Sequence, residues 1–228
     1  MSSPFKVEPL GAVHDRAGFS CGQEPLDRYF QTQATQDIRR RVATCFVAVE
    51  VSTGAVAGYY TLASAGIPMM DLPPEVAKKL PRYPSIPAVR IGRLAVGTRF
   101  QGMGLGGALL ADALDRVMSS PPAASAMLVD AKEERAVAFY RHYGFVPLVS
   151  QPRTLFLPVA TAEKTLRRLI ATPLQPTNTG HRIDEDRRWP FTATPPFSCS
   201  RQVAACAALR FNPSSFDEHL HGRRLRAL

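Results

Sequence analysis

Residues 90–110, RIGRLAVGTRFQGMGLGGALL, decide the fold of this chain. Within and just before them, Ala88–Val96 is apolar apart from two arginines and predicts an inner β-strand. Four glycines lie within residues 102–107, and the apolar run that follows predicts a helix over Gly104–Met118. A glycine-rich turn between a buried strand and a helix lets backbone N–H groups approach a phosphate closely. The stretch therefore predicts a cradle for a phosphate or pyrophosphate, to which Arg99 adds a positive charge.

The surrounding sequence predicts a mixed α+β domain. Apolar residues at a period of 3.6 predict one helix over Leu26–Ile38. Two β-branched runs around a turn at Ser52–Gly54 predict an antiparallel hairpin. Further patterns predict a short helix, a strand, a helix, a second hairpin and a final short helix, at Glu75–Leu80, Ser125–Asp130, Glu133–Tyr143, Phe145–Val159 and Thr161–Ile170. One hairpin therefore precedes a single βαβ unit, and a second hairpin follows it.

Composition narrows the class of protein. The chain has 228 residues, of which 45% are hydrophobic, so it can bury a substantial core. It contains neither an apolar run of membrane-spanning length nor a secretory signal, so we expect a cytoplasmic protein with no membrane contact. Its four cysteines form no CxxC pair, so we expect neither a disulfide framework nor a bound metal. The net charge of +9 favours an anionic partner such as nucleic acid.

The composition changes near residue 171. Residues 171–228 contain six prolines, no lysine and no sustained apolar period. Such a segment offers little apolar surface to bury against a core. We therefore expect a folded domain over residues 1–170 and a disordered C-terminal extension over residues 171–228.

Two ligands fit the predicted cradle, and the first is a nicotinamide dinucleotide. Gly102, Gly104 and Gly107 satisfy the G-x-G-x-x-G pattern of Rossmann domains, and Asp130 ends the next strand, where it would bind a ribose. This interpretation predicts an NAD-dependent oxidoreductase. It is opposed by the hairpin that precedes the loop and by the presence of only one βαβ unit. It is also opposed by the distance from Gly102 to Asp130, which is longer than the usual spacing of about 20 residues.

The second ligand is coenzyme A, because Arg99–Gly107 resembles the R/Q-x-x-G-x-G/A pyrophosphate signature of the GNAT acetyltransferases. The resemblance continues in Leu94–Val96 before the loop and in Ala138–Phe145 after it. Further stretches are similar to the toxin branch of this family, found in toxin–antitoxin pairs: Phe19–Gly22 with Leu26, Asp27 and Tyr29, then Gly58–Leu62, Leu80–Pro84, Gly92–Val96 and Pro152–Pro158. The resemblance implies the GNAT fold, a mostly antiparallel twisted central sheet with one βαβ unit and flanking helices.

The resemblance also implies that acetyl-CoA is the co-substrate. The residues expected to bind it lie on the strand end and the glycine turn: Leu94, Ala95, Val96, Arg99, Gln101, Gly102, Met103, Gly104, Leu105, Gly106 and Gly107. Backbone N–H groups of the strand end would polarise the thioester carbonyl. Toxins of this group usually place an aspartate directly after Leu-Ala-Val, whereas this chain has Gly97. No role for a carboxylate is expected at that position.

Tyr140 is the expected catalytic residue. Direct transfer from a thioester to an amine needs a proton donor for the departing thiolate, and the resemblance implies this role for the tyrosine of the Phe139-Tyr140 pair. A phenol with an ordinary pKa near 10 is protonated at pH 7, whereas the leaving thiol has a pKa near 8.5. A covalent route is not expected, because Cys45 lies in a core-like strand and no Cys/His pair is evident.

The toxin resemblance implies that the acceptor is the α-amine of an aminoacyl-tRNA, whose acetylation blocks translation. The expected partners are this tRNA, a small ribbon-helix-helix antitoxin and, in a homodimer, a second copy of the chain. The basic residues expected to contact tRNA phosphates are Arg39, Arg40, Lys78, Lys79, Arg90, Arg93 and Arg141. Two other functions stay open at this point: an acetyltransferase for small molecules or proteins without a toxin role, and a nucleic-acid-binding module without catalysis.

Overall fold

A seven-stranded sheet organises the part of the chain that the computed structural model describes, residues 4–120 and 123–162. Its strands are β1 (Phe5–Pro9), β2 (Thr44–Glu50), β3 (Val56–Pro68), β4 (Ser85–Val96), β5 (Ala126–Asp130), β6 (Val146–Pro147) and β7 (Thr154–Pro158). The helices are α1 (Glu24–Thr32), α2 (Ala34–Arg39), α3 (Pro74–Ala77), α4 (Leu105–Ser119) and α5 (Glu134–His142). Short 3₁₀ turns lie at Met69–Asp71 and Thr98–Phe100.

The strand order in the sheet is β1-β2-β3-β4-β5-β7-β6. Every neighbouring pair is antiparallel except β4 and β5, which are parallel and are joined by α4. This arrangement confirms the predicted mixed fold, with a hairpin before one βαβ unit and a second hairpin after it. The doubly wound parallel sheet that the dinucleotide interpretation requires is a different topology, so that interpretation is wrong.

Two local features differ from the prediction. The apolar period over Leu26–Ile38 predicts one helix, but the chain forms α1 and α2, which meet at Gln33 with φ −110° and ψ −30°. Ala34, the first residue of α2, packs in the same core as Tyr29 of α1. The strand β1 is also absent from the prediction, because a five-residue edge strand takes its conformation from pairing with β2 rather than from its own sequence.

Helices cover both faces of the sheet. One face, here called the α4 face, packs α4 and α5 against a core that includes Tyr60 and Met127. The opposite face, the α1 face, is covered by α1 and α2 over one half and by the segment 69–80 over the other. Neighbouring side chains in a strand point to opposite faces, and Leu94 and Ala95 of β4 accordingly contribute to different cores.

The strands β4 and β5 part in the middle of the sheet. Their parallel pairing ends at Ile91 of β4 with Val129 of β5. The next residue, Gly92, is a bulge, because it has no partner in the register between β4 and β3. From Gly92 to Val96 the edge of β4 that faced β5 has no strand partner among the described residues. The backbone of β4 is therefore open to a ligand along this stretch.

The described residues end at 162, so most of the predicted helix Thr161–Ile170 and all of the predicted extension 171–228 lie outside them. The domain boundary near residue 170 therefore stays a prediction. Within the described ranges, no helix has both the length and the apolar character needed to cross a membrane.

Candidate active site

The glycine turn between β4 and α4 has a backbone geometry that side chains disfavour. Gly102 and Gly104 have φ angles of +78° and +79°, in the left-handed region. Gly104 immediately precedes α4, which begins at the buried Leu105. No heavy atom lies within 4 Å of the position that a Cβ of Gly102 would take. The turn therefore presents bare backbone to a ligand.

The first turn of α4 supplies hydrogen-bond donors. Its first hydrogen bond runs from the N–H of Ala108 to the carbonyl of Gly104, at 3.2 Å. The N–H groups of Leu105 and Gly106 come before this bond and point out of the helix end. Together with the partial positive charge of a helix N-terminus, they suit an anionic group such as a pyrophosphate. Arg99 on the adjoining 3₁₀ turn is exposed and adds a full charge beside them.

The side chain of the exposed residue Gln101 is held by two hydrogen bonds to backbone carbonyls. Its amide nitrogen donates to the carbonyl of Cys21 at 2.9 Å and to the carbonyl of Val96 at 3.1 Å. The Gln101 side chain thereby ties the glycine turn to the end of β4 and to the loop before α1. Met103 at the tip of the turn is, by contrast, 60% exposed.

Three elements converge at Gly106 in the first turn of α4. A Cβ on this glycine would lie 3.6 Å from the Phe139 ring of α5 and 3.8 Å from the Val96 side chain of β4. A Cβ on the next residue, Gly107, would overlap the hydroxyl of Tyr143. Because Gly107 carries no side chain, Tyr143 at the end of α5 packs directly on the first turn of α4. This contact brings α5, the glycine turn and the open end of β4 together.

Tyr140 lies on α5, next to this point of convergence. Its ring packs against Phe139 and Phe145, with ring centres 5.1 and 5.3 Å away, and the residue is 8% exposed. Burial raises the pKa of its hydroxyl above the ordinary value of 10. The hydroxyl makes no hydrogen bond to any described residue. Tyr140 therefore holds a neutral phenol whose proton no neighbouring protein group in the described ranges accepts.

Two of the predicted tRNA-binding residues have partners within the protein. Arg90 forms an ion pair with Asp130 across β4 and β5, and Asp130 also accepts a hydrogen bond from the hydroxyl of Thr154 at 2.9 Å. Arg93 stacks on the ring of Tyr29 in α1, with its guanidinium carbon 3.4 Å from the ring centre. Both arginines lie on the α1 face. Because Asp130 is occupied by these contacts, it does not provide the free carboxylate that the dinucleotide interpretation requires.

The other predicted tRNA-binding residues are exposed: Arg39 and Arg40 at the end of α2, Lys78 and Lys79 after α3, and Arg141 on α5. Within the described ranges, one of the five has an ion-pair partner, since Lys78 lies 3.8 Å from Glu75. The structure thus brings four of these cations to the helices of the α1 face and leaves Arg141 on the α4 face.

The thiol and imidazole groups do not form a nucleophilic pair. Cys45 is buried in β2, and this burial raises the pKa of its thiol to about 12. The Nε2 atom of His14 lies 2.9 Å from a carboxylate oxygen of Glu8. The described residues also contain no group of His, Cys, Asp and Glu side chains placed to hold a metal ion. Burial also raises the pKa of the Cys21 thiol, in the loop beside the glycine turn, to about 11, so neither cysteine in the described ranges supplies an activated thiol.

Comparison with known proteins gives the family. Residues 81–155 match the acetyltransferase (GNAT) domain family. The chain is also 35% identical over 165 residues to a probable toxin TacT of Sinorhizobium fredii, with 68% of this chain and 91% of that protein covered. The chain belongs to the GNAT acetyltransferases.

Other relatives of this GNAT chain are also toxins. It is 34% identical over 159 residues to a tRNA-acetylating toxin of Mycobacterium tuberculosis, with 69% of this chain and 93% of that protein covered. Among solved structures, AtaT complexed with acetyl-methionyl-tRNAfMet matches with a TM-score of 0.66 and 32% identity, covering 71% of this chain and 98% of that one. A tyrosine-to-phenylalanine mutant of AtaT, bound to acetyl-CoA and the C-terminus of the antitoxin AtaR, matches with a TM-score of 0.60 and 28% identity, covering 71% and 98%.

These matches confirm the predicted family and its toxin branch. In this GNAT domain, the residues expected to bind acetyl-CoA lie in one continuous region, from the open end of β4 through the 3₁₀ turn to the first turn of α4. The sequence did not point to Phe139 and Tyr143 as the residues that pack on Gly106 and Gly107. A glycine within a helix is the only local signal of such a close approach.

Proposed function

We propose that this GNAT enzyme transfers the acetyl group of acetyl-CoA to the α-amine of an aminoacyl-tRNA and acts as a toxin that blocks translation. The observation that carries the proposal is the convergence at Gly106 of the open end of β4, the first turn of α4 and Phe139, the neighbour of Tyr140. The tRNA-acetylating toxin of M. tuberculosis, matched over 93% of its length, supports the choice of acceptor. AtaT complexed with an acetylated aminoacyl-tRNA supports it as well.

Acetyl-CoA supplies an activated thioester to this reaction. Its pyrophosphate is held by the backbone N–H groups of the glycine turn and of Leu105 and Gly106, with Arg99 adding charge. The residues fit this ligand, because Gly102 and Gly104 hold the left-handed backbone before the helix N-terminus and no heavy atom lies within 4 Å of the Cβ position of Gly102. The open edge of β4 at Leu94–Val96 offers N–H groups to the thioester carbonyl and stabilises the negative charge that develops on its oxygen.

Tyr140 donates the proton to the leaving thiolate. Because burial raises the pKa of Tyr140, its hydroxyl is protonated throughout the physiological pH range. The same burial would raise the pKa of a leaving thiol above its ordinary value near 8.5, as it does for Cys45. Burial therefore raises the pKa of the proton acceptor together with that of the donor, so Tyr140 does not become a poorer donor relative to the thiolate that it protonates.

The acceptor amine needs little help from the protein. An α-amino group has an ordinary pKa near 7.8, so an appreciable fraction is neutral and nucleophilic at pH 7. A strong general base is therefore not required. This property distinguishes an aminoacyl ester from a lysine side chain, whose pKa near 10.4 keeps it protonated at neutral pH.

Exposed cations bind the tRNA backbone. Arg39, Arg40, Lys79 and Arg141 have no ion-pair partner among the described residues, so they can meet phosphates without breaking an existing contact. Lys78 gives up only an exposed pair with Glu75. Arg90 and Arg93 also remain in the proposal, but each would first have to leave or share its protein partner.

The proposed biological setting follows from these substrates. Since charged tRNA is a cytoplasmic substrate, the toxin acts in the cytoplasm, where a small ribbon-helix-helix antitoxin neutralises it. The antitoxin-bound structure of AtaT supports an antitoxin as the partner. We include a homodimer in the proposal, with residues 1–170 as the catalytic domain and residues 171–228 as an appended segment that catalysis does not need.

The decisive experiment is mass spectrometry of the aminoacyl groups released from total charged tRNA after incubation with the protein and acetyl-CoA. We expect N-acetylated aminoacyl groups from charged tRNA and none from free amino acids under the same conditions. Tyr140→Phe serves as the matched inactive control. Acetylation of small amines or peptides, without acetylation of charged tRNA, would replace the toxin proposal with an ordinary acetyltransferase.

A further inference from the structure

The loop Ser20–Gly22, directly before α1, is hydrogen-bonded to the segment that leads into the glycine turn. The N–H of Thr98 donates to the carbonyl of Ser20 at 2.9 Å. The side-chain amide of Gln101 donates to the carbonyl of Cys21 at the same distance. The first bond is made by the first residue of the 3₁₀ turn that precedes the glycines, and the second by the residue that follows this turn. The loop therefore fixes where the glycine turn begins.

Asp27 on α1 in turn holds this loop. One oxygen of its carboxylate accepts a hydrogen bond from the N–H of Cys21 at 2.8 Å, and the other accepts one from the hydroxyl of Ser20 at 3.0 Å. Partial burial raises the pKa of Asp27, but hydrogen bonds from Cys21 and Ser20 outweigh it and bring the pKa below its ordinary value. Asp27 is therefore an ionised acceptor that uses both oxygens on the loop.

The helix that carries Asp27 is itself rigidly placed. The hydroxyl of Tyr59 on β3 donates to the carbonyl of Leu26 at 2.8 Å. Phe30, one turn further along α1, is fully buried and stacks on the ring of the same tyrosine. Hydrogen bonds thus connect the central sheet through α1 and the loop Ser20–Gly22 to the glycine turn.

The glycine turn has few contacts of its own that could give it a single conformation. Gly102 has no heavy atom near its Cβ position, and Met103 is largely exposed. Glycines also lose more conformational freedom than other residues when they are ordered. A turn that is ordered only on ligand binding loses affinity by the cost of that ordering, whereas a turn held beforehand does not.

We infer that Asp27 is a positioning residue for acetyl-CoA binding. Asp27 holds the loop Ser20–Gly22, and this loop holds Thr98 and Gln101. Through these two residues it keeps the glycine turn in the conformation that binds acetyl-CoA. The inference rests on the proposed function only in taking acetyl-CoA as the ligand of the turn. The carboxylate of Asp27 on α1 thus affects the binding of acetyl-CoA without contacting it.

The test measures the dissociation constant of acetyl-CoA by titration calorimetry, without tRNA, together with the melting temperature of each variant. Asp27→Ala should weaken binding about tenfold, the size expected when a hydrogen-bonded support is removed. Asp27→Asn should bind nearly as the wild type does, because its amide oxygen accepts from Cys21 and its NH2 group donates to Ser20. Glu24→Ala is the matched control, since Glu24 is an exposed carboxylate in the same helical turn.

A double-mutant cycle with Gln101→Ala separates positioning from simple stabilisation of α1. If Asp27 acts through the link to Gln101, the double variant should bind acetyl-CoA no more than about twofold worse than the weaker-binding single variant. Additive losses would overturn the inference, as would wild-type affinity in a folded Asp27→Ala variant whose melting temperature alone falls. Because tRNA is absent, a protein that binds acetyl-CoA but fails to acetylate tRNA would count against the proposed function and not against the role of Asp27.

Discussion

The two faces of the sheet contribute different chemical groups to the proposed site: backbone groups on the α4 face and cationic side chains on the α1 face. On the α4 face the proposed ligand cradle is backbone, with glycines at φ +78° and +79° followed by a helix N-terminus. On the α1 face the cationic groups are side chains, and their neighbours decide whether they are free. Arg90 pairs with Asp130 and Arg93 stacks on Tyr29, whereas Arg40 has no ion pair among the described residues. A backbone anion site is thus encoded in one contiguous stretch of sequence. A site made of cationic side chains is not, because it depends on which protein groups lie beside each side chain.

The largest effect is expected for Tyr140→Phe on the α4 face. The substitution keeps the ring contacts with Phe139 and Phe145 and removes only the hydroxyl, so the melting temperature and the affinity for acetyl-CoA should barely change. Loss of a general acid should lower kcat for aminoacyl-tRNA acetylation by roughly 10²–10⁴-fold. The measurement is steady-state kinetics with purified charged tRNA.

Tyr143→Phe is the comparison for this prediction. Its hydroxyl lies against Gly107 in the first turn of α4, so its removal should alter the KM for acetyl-CoA more than kcat. If kcat falls equally in Tyr140→Phe and Tyr143→Phe, then neither tyrosine is the proton donor by itself, and an ordered water is the next candidate.

The next effect sharpens the claim that the α4 face binds through bare backbone. Gly104→Ala places a Cβ on a residue with φ +79° at the N-terminus of α4, and acetyl-CoA affinity measured by calorimetry should fall by roughly 10²-fold. Gly54→Ala is the matched control, because Gly54 has φ +74° in the β2–β3 turn and nothing within 4 Å of its Cβ position. Both variants should lose about 1–2 kcal/mol of stability, since each forces an alanine into the left-handed region. Equal losses of acetyl-CoA affinity in the two variants would show that the effect is strain and not ligand contact.

A smaller effect separates free from partnered arginines. Arg40→Ala should raise the KM for tRNA severalfold and reduce the salt dependence of tRNA binding by about one released counterion, with no change in melting temperature. Arg93→Ala should instead lower stability by about 1 kcal/mol, because it removes the stack on Tyr29. Filter-binding titrations at several salt concentrations, paired with thermal melts, measure both quantities. The reverse pattern, with Arg93 setting the salt slope, would mean that tRNA displaces the arginine from Tyr29.

The smallest effect is expected for a truncation that removes residues 171–228. The melting temperature and the affinity for acetyl-CoA should stay within experimental error of the full chain, because the removed segment has six prolines and no apolar period with which to join a core. A fall of several degrees in the melting temperature would mean that the domain extends past residue 170.

Hydrogen bonds and ion pairs between residues far apart in sequence could not be predicted from the sequence, for one physical reason. The amide of Gln101 reaches the carbonyl of Cys21, 80 residues earlier, and Arg90 reaches Asp130, 40 residues later. A glutamine or an arginine has the same local pattern whether its partner is solvent, RNA or a distant carboxylate. The sequence therefore predicted Gln101 and Arg90 as ligand contacts without showing that protein groups already bind their side chains.

Local elements, by contrast, were predictable from the sequence itself. The strand, glycine turn and helix of residues 90–110 were predicted because apolar periodicity and glycine conformational freedom act over a few neighbouring residues. The family was predictable because the motifs that carry it are contiguous, and the role of Tyr140 stays a prediction from the same motifs. Tertiary structure alone decided that β4 and β5 part after Ile91, that α5 packs on Gly106, and that Asp27 supports the glycine turn. Each of these depends on where chain segments far apart in sequence meet, and that position is set by the packing of the whole sheet and not by any one stretch.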